Sequence, residues 1–180
     1  MNRPLAILLA PLLLLGSLAT GAAADTAVRV YWTEWRSYDP TLRRIARAPA
    51  DGGSAETLLT GFHHDTGLGD LAIDTDAGKL YWANRPDDLI ECADLDGTGR
   101  DTVLTGVNAV GLALDVAGEK IYWADYSYSD PCIRRADLDG SDAEDLMPVS
   151  DGCQLEGLVL DLTAGKLYWA ERSDQQIWRA

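Results

Sequence analysis

The chain is short of basic residues, of histidine and of cysteine, and beyond its first two dozen positions it has no long apolar run. Its 180 residues include 15 Lys and Arg against 29 Asp and Glu, a net charge of −14. A surface so poor in cations repels phosphate backbones and anionic headgroups, which argues against nucleic acid and membrane surfaces as partners. The acidity reads first as solubility alone, with attraction of a basic partner or a cation as the alternative. Helical periodicity is missing too, since no ten-residue window after Asp25 keeps an i, i+3, i+4 apolar stripe free of Gly or Pro. No Gly-x-Ser-x-Gly, His-Glu-x-x-His or Walker pattern appears. Nothing therefore announces a serine hydrolase, a zinc hydrolase or a nucleotide enzyme, and no cofactor is expected. The two histidines are adjacent, His63-His64 followed by Asp65. Neighbouring His do not easily converge on one ion, whereas metal sites show spaced ligand pairs, so no metal is expected there.

The first segment has the layout of an export leader. Arg3 is a short positive start, Leu5 to Leu15 is apolar, and Ala22-Ala23-Ala24 offers small residues for cleavage before Asp25. Leu5 to Leu18 is short for a bilayer span, which needs about 20 residues. The reading is a signal peptide over 1–24, an extracytoplasmic location and no membrane insertion. The leader holds one Arg and no acid, so the remainder is one charge more negative than the whole.

What the sequence does have is a repeat. A Tyr-Trp pair recurs at Tyr31-Trp32, Tyr81-Trp82, Tyr122-Trp123 and Tyr168-Trp169, at spacings of 50, 41 and 46 residues. Apolar runs ending in Asp stand upstream, at Leu71 to Asp74, Gly111 to Asp115 and Gly157 to Asp161. Asp-Leu-Asp-Gly turns stand downstream, at Asp94 to Gly97 and Asp137 to Gly140. Each unit holds four short strand candidates bounded by turn residues. Four strands at a period of about 40–50 residues is the spacing of a β-propeller blade. The first two strands of each unit are nearly continuous hydrophobic runs, as strands buried on both faces require. The Asp-x-Asp-Gly stretches lack the further acids of a calcium loop and read as turns.

These residues resemble the YWTD repeats, the class B repeats of the low-density lipoprotein receptor family. The variants here are Tyr-Trp-Thr-Glu (31–34), Tyr-Trp-Ala-Asn (81–84), Tyr-Trp-Ala-Asp (122–125) and Tyr-Trp-Ala-Glu (168–171). The resemblance covers nearly all of the chain after the leader. It implies a six-bladed ring, protein or peptide binding on one face rather than catalysis, and closing acids (Glu34, Asp125, Glu171) that tie neighbouring blades. Asn84 departs from that acid. The short leader and the bias of 12 Arg over 3 Lys suggest a bacterial secreted relative.

The fold class is thus all-β, a propeller of four-stranded blades with about three and a half present. The blades are 28–68 (incomplete), 69–109, 110–155 and 156–180 (incomplete), the first opening at its second strand. A closed ring removes exposed sheet edges and blade faces. A count short of six is expected to mean a fragment of a longer chain, self-association, or an arc that shields its ends.

In this topology the loops between second and third strands share a rim with the blade-to-blade connections. Loops on a rigid scaffold concentrate binding residues, and aromatics and Arg make hot spots. Trp35, Arg36, Tyr38, Tyr126, Tyr128 and Arg172 are the candidate patch, or alternatively cover for the blade edge. Cys132 and Cys153 fall on the same side of adjacent blades and are the candidate disulfide, with Cys92 left as a free thiol. Six-bladed propellers also include calcium-dependent lactonases, but Asp74, Asp115 and Asp161 recur at equivalent positions, whereas catalysis needs an asymmetric site. The reading is a non-catalytic module for a protein or peptide ligand. The alternatives are a calcium-dependent lactonase or hydrolase, or a structural repeat of a larger secreted protein.

Overall fold

Short runs of β-branched, aromatic and aliphatic residues between Asp, Gly and Pro turns fold as expected. A computed structural model describes residues 8–10, 28–35, 43–62, 67–126, 131–149 and 154–180. Among these residues fifteen strands form four antiparallel sheets, each a blade. Blade I contains β1 (Leu8–Ala10), β2 (Arg29–Glu34), β3 (Arg44–Pro49) and β4 (Glu56–Leu59). Blade II contains β5 (Leu71–Asp74), β6 (Lys79–Asn84), β7 (Leu89–Asp94) and β8 (Asp101–Thr105). Blade III contains β9 (Ala109–Asp115), β10 (Lys120–Asp125), β11 (Cys132–Asp137) and β12 (Glu144–Pro148). Blade IV contains β13 (Leu155–Asp161), β14 (Lys166–Glu171) and β15 (Gln176–Arg179). The architecture is that of an all-β propeller arc of YWTD-type blades.

One detail differs from the sequence reading. Blade I opens one strand earlier, because Leu8–Ala10 pairs with Arg29–Tyr31 in the inner-strand position. The edge of β2 offers unpaired backbone groups, and an apolar segment close in sequence satisfies them.

The Tyr-Trp strand is second in every blade, and its register repeats. Trp82 stands opposite Leu71 and Glu91, Trp123 opposite Leu112 and Arg134, and Trp169 opposite Leu158 and Trp178. Between third and fourth strands the register shifts at one equivalent site in three blades, after Ile45, Ile90 and Ile133. A bulge repeated in this way pins the register and adds twist.

The core is divided into three layers, one between each pair of neighbouring blades. Tyr31 and Ile45 of blade I meet Leu71, Leu80 and Trp82 of blade II. Tyr81, Ala83 and Ile90 meet Leu112, Ile121 and Trp123. Ala124 and Ile133 meet Leu158, Leu167 and Trp169. Strand alternation thus gives each blade a Trp face toward the preceding blade and a Tyr face toward the following one. Trp82 and Trp123 are fully enclosed. Truncating such a side chain to Ala typically costs about 3–5 kcal/mol. No helix among the described residues is long and apolar enough to cross a membrane.

Candidate functional site

The two rims have different chemistry because different turns build them. On one rim, the Asp that ends each inner strand folds back on its own turn. Asp74 accepts from the amides of Asp76 and Ala77, Asp115 from Gly118 and Asp161 from Ala164. The three acids seen in the sequence as a ring are therefore occupied as turn caps. Lys79 and Lys120 bind Asp94 and Asp137 on the same rim, which raises both lysine pKa values. The Asp-Leu-Asp-Gly turns also latch blades together. Gly97 and Gly140 have φ of 87° and 86°, and a Cβ on either would run into the backbone oxygen of the preceding blade, at Leu58 and Val103.

The opposite rim carries the loops after each Tyr-Trp strand, joined to the blade connections by backbone hydrogen bonds. The amide of Val107 donates to Asp88 O (3.0 Å), that of Tyr126 to Asn108 O (2.8 Å) and that of Arg172 to Gln154 O (2.8 Å). Asn108 Nδ2 returns a bond to Tyr126 O at 3.0 Å. The shared rim inferred from topology is thus present.

Of the six candidate ligand residues, three lie among the described residues. Tyr126 is half-buried, and the Arg85 guanidinium lies 5.8 Å from its ring centroid. Arg172 is exposed and faces Glu156 at 3.6 Å. Trp35 is half-buried with its indole packed on Gly67, where an added Cβ would stand 2.9 Å from Trp35 Cδ2. Trp35 therefore closes the blade I–II junction as well as lining the rim. Arg36, Tyr38 and Tyr128 lie outside the described residues, as do His63, His64 and Asp65. Arg85 was not among the sequence candidates, although Pro86 is a signal for the 3-10 turn, Arg85–Asp87, that presents it.

Cys132 is buried at the start of β11, its Sγ 3.1 Å from Met147 O. Its proposed partner Cys153 is outside the described residues, so the bridge remains an expectation. Cys92 is a free, half-buried thiol facing Tyr81 across the strands, and burial pushes its pKa up.

Two polar features, one buried and one half-buried, have no counterpart in the sequence reading. Glu91, 5% exposed, accepts from Trp82 Nε1 (3.1 Å) and Asn84 Nδ2 (2.8 Å), and takes a two-pronged contact from Arg100 (2.9 Å twice). Arg100 in turn lies 4.7 Å from the Phe62 ring centroid and donates to Thr60 O at 3.3 Å, which ties blade II to blade I. Asp70 occupies the inner-strand position held by Gly111 and Gly157 in the next two blades. It accepts from the Leu112 amide at 3.4 Å. Burial lifts its carboxyl to about 6, with nearby Glu156 adding to the rise and the Leu112 and Leu158 amides opposing it.

Two of the closing acids also hold an Arg on the neighbouring strand. Glu34 holds Arg44 (2.8 Å) and Asp125 holds Arg134 (2.7 Å), partners within the same blade. Among the described residues, no three His, Cys, Asp or Glu are grouped so as to hold a metal ion.

No family model matches the sequence. The chain is 30% identical over 163 residues to protein cueball of Drosophila yakuba, covering 78% of this chain and 24% of that protein. It is 29% identical over 99 residues to the vitellogenin receptor Yl of Drosophila melanogaster, covering 54% of this chain and 5% of the receptor. Among solved structures it is similar to the nidogen/laminin complex, with 29% identity, a TM-score of 0.68, and coverage of 79% of this chain and 52% of that one. A gluconolactonase from Xanthomonas campestris shares the fold at 17% identity and a TM-score of 0.63. The chain thus spans about a quarter of the length of the cueball protein it matches. These likenesses support a YWTD β-propeller of the low-density lipoprotein receptor type. The bacterial origin suggested by composition finds no support in these sequence relatives, which are insect proteins.

Proposed function

We propose that this chain is an extracytoplasmic, non-catalytic module that binds a protein or peptide ligand on the rim holding Arg85, Tyr126 and Arg172. The observation that carries the reading is the Arg85–Tyr126 cation–π pair on the rim that also holds the exposed Arg172, on loops tied to the blade connections by backbone hydrogen bonds. Rigid aromatic and guanidinium groups lose little freedom on binding, which is why they dominate interface energetics. Support also comes from the likeness to a chain solved as a nidogen/laminin complex. In this reading residues 1–24 direct export and are removed, which takes β1 with them and leaves β2 as the first strand of blade I, and a Cys132–Cys153 bridge forms outside the cytoplasm.

The test is selection of binders from a displayed random-peptide library. Peptides enriched on the wild-type chain are expected to lose at least tenfold in affinity, about 1.4 kcal/mol, with Tyr126→Ala and with Arg85→Ala. They are expected to bind Asp96→Ala, on the opposite rim, unchanged. Enrichment insensitive to both rim substitutions, or no enrichment at all, counts against the proposal. The lactonase alternative rests on fold alone, given 17% identity to the gluconolactonase. Tight stoichiometric calcium binding by calorimetry, together with lactone turnover, would favour it. The third alternative, a structural repeat within a larger protein, is favoured if no rim variant changes any binding property.

A further inference from the structure

The guanidinium groups of this chain fall into two kinds of place. On the blades, Arg44, Arg47, Arg100, Arg134 and Arg135 each hold a carboxylate of their own blade within 2.9 Å. On the rim, the residue after the Tyr-Trp motif takes one equivalent position in every blade, and it is Trp35, Arg85, Tyr126 and Arg172 in turn. Two aromatics alternate with two Arg, and no acid stands there, in a chain with 29 Asp and Glu.

Arg172 is the loosely held member of this set. Its side chain is 61% exposed, and it meets Glu156, itself 51% exposed, at 3.6 Å. An exposed pair of that length contributes little, because water screens it and two long side chains must be held still. Glu156 also feels Asp70, whose carboxyl it pushes up, so keeping it in place costs repulsion between two acids. The backbone beneath is fixed, since the Arg172 amide donates to Gln154 O at 2.8 Å. A guanidinium on an anchored backbone presents a planar fork that matches a carboxylate with two charge-assisted hydrogen bonds. Tyr126 holds the equivalent position in the preceding blade, with Arg85 5.8 Å from its ring centroid.

We propose that Arg172 anchors a side-chain carboxylate of an acidic peptide, and that Glu156 occupies that place in the free chain. The inference rests on the rim reading above and names the chemistry of its ligand. The net charge of −14 opposes an acidic ligand at a distance. That field fades over about 8 Å at physiological ionic strength, so the contact at the guanidinium decides the outcome.

Peptides selected on the wild-type chain supply the probe. Those that lose affinity with Tyr126→Ala are expected to share an Asp or Glu. Changing that residue to Asn or Gln should weaken binding to the wild-type chain by about tenfold and leave binding to Arg172→Gln nearly unchanged. Glu156→Gln should tighten the acidic peptides by about threefold, because it frees the guanidinium. Both positions are exposed, and circular dichroism establishes that each variant is folded. Rim-sensitive peptides that share a Lys or Arg, or no charged residue, overturn the inference and leave the rim reading standing. So does a peptide acid whose neutralisation costs as much on Arg172→Gln as on the wild-type chain. Acidic peptides that bind Glu156→Gln no more tightly overturn the role given to Glu156. With no rim-sensitive peptide at all, the inference and the rim reading fall together.

Discussion

Blades II and III share a backbone and a register yet place opposite charges at the same position. Across from Trp82, β7 presents Glu91; across from Trp123, β11 presents Arg134. Each slot is neutralised by reversing its neighbours. Glu91 is served by Arg100 and Asn84, whereas Arg134 is held by Asp125 and Asp145, each at 2.7 Å. This accounts for the one motif that lacks its acid, since a carboxylate at position 84 would lie against Glu91. The swap has a cost for the indole. Glu91 accepts the Trp82 N–H, but a guanidinium has no acceptor to offer. Trp123 Nε1 accordingly has no hydrogen-bond partner among the described residues. A repeat therefore conserves register at such a site, while the sign of the charge is free as long as the local set balances.

Breaking the blade II set should have the largest effect. Glu91→Ala leaves Arg100 unpaired between Phe62 and Trp82 and removes the acceptor for two more donors. It is expected to cost about 3–5 kcal/mol in urea unfolding. Arg134→Ala should cost less, because of the two carboxylates it leaves behind only Asp125 is buried, at 4% exposed, while Asp145 is 64% exposed and is rehydrated.

Features common to both blades provide the next comparison. Gly140→Ala combines a φ of 86° with a clash against Val103 O, and should cost about 2–4 kcal/mol. Gly78→Ala shares the positive φ but meets open space, and should cost about 1 kcal/mol. Equal losses for the two would show that the inter-blade latch contributes nothing.

Asn84→Asp tests the charge logic directly. It should destabilise by about 1–3 kcal/mol through a second carboxylate at a buried anionic site. An unchanged midpoint would mean that Arg100 neutralises both.

The smallest effect concerns Asp70, where blade II departs from the Gly of its neighbours. Its carboxyl titrates near 6 in the fold against 3.8 ordinarily, so the folded state binds the extra proton between those values. Stability from this group therefore rises as pH falls from about 6 to about 4, and is lost as pH rises through 6. Asp70→Asn should flatten that part of the melting-temperature profile and raise the midpoint slightly at pH 7. A profile of unchanged slope would remove Asp70 as its source.

Much of this fold is written locally. The Tyr-Trp pairs, the apolar runs ending in Asp and the Asp-x-Asp-Gly turns each specify a strand or turn from residues a few positions apart, so four blades were visible without coordinates. The rim was legible as topology, yet its chemistry was only partly so. Tyr126 was found from its type, while Arg85 needed the 3-10 turn to bring it over that ring. Trp35 looks like a hot spot in sequence, but Gly67 beneath it makes the indole part of a junction. The Glu91–Arg100 pair was invisible, because its partners are set by how two strands and a neighbouring blade meet.

By itself the sequence determined strand order, turn type and the alternation that gives every blade a Trp side and a Tyr side, since these depend on local spacing and the pleat. Only the tertiary structure decided what those sides became. Ile90 is fully enclosed because Leu112, Ile121 and Trp123 of the next blade lie over it. Burial belongs to a pair of surfaces, and one strand's sequence specifies only its own half of that pair.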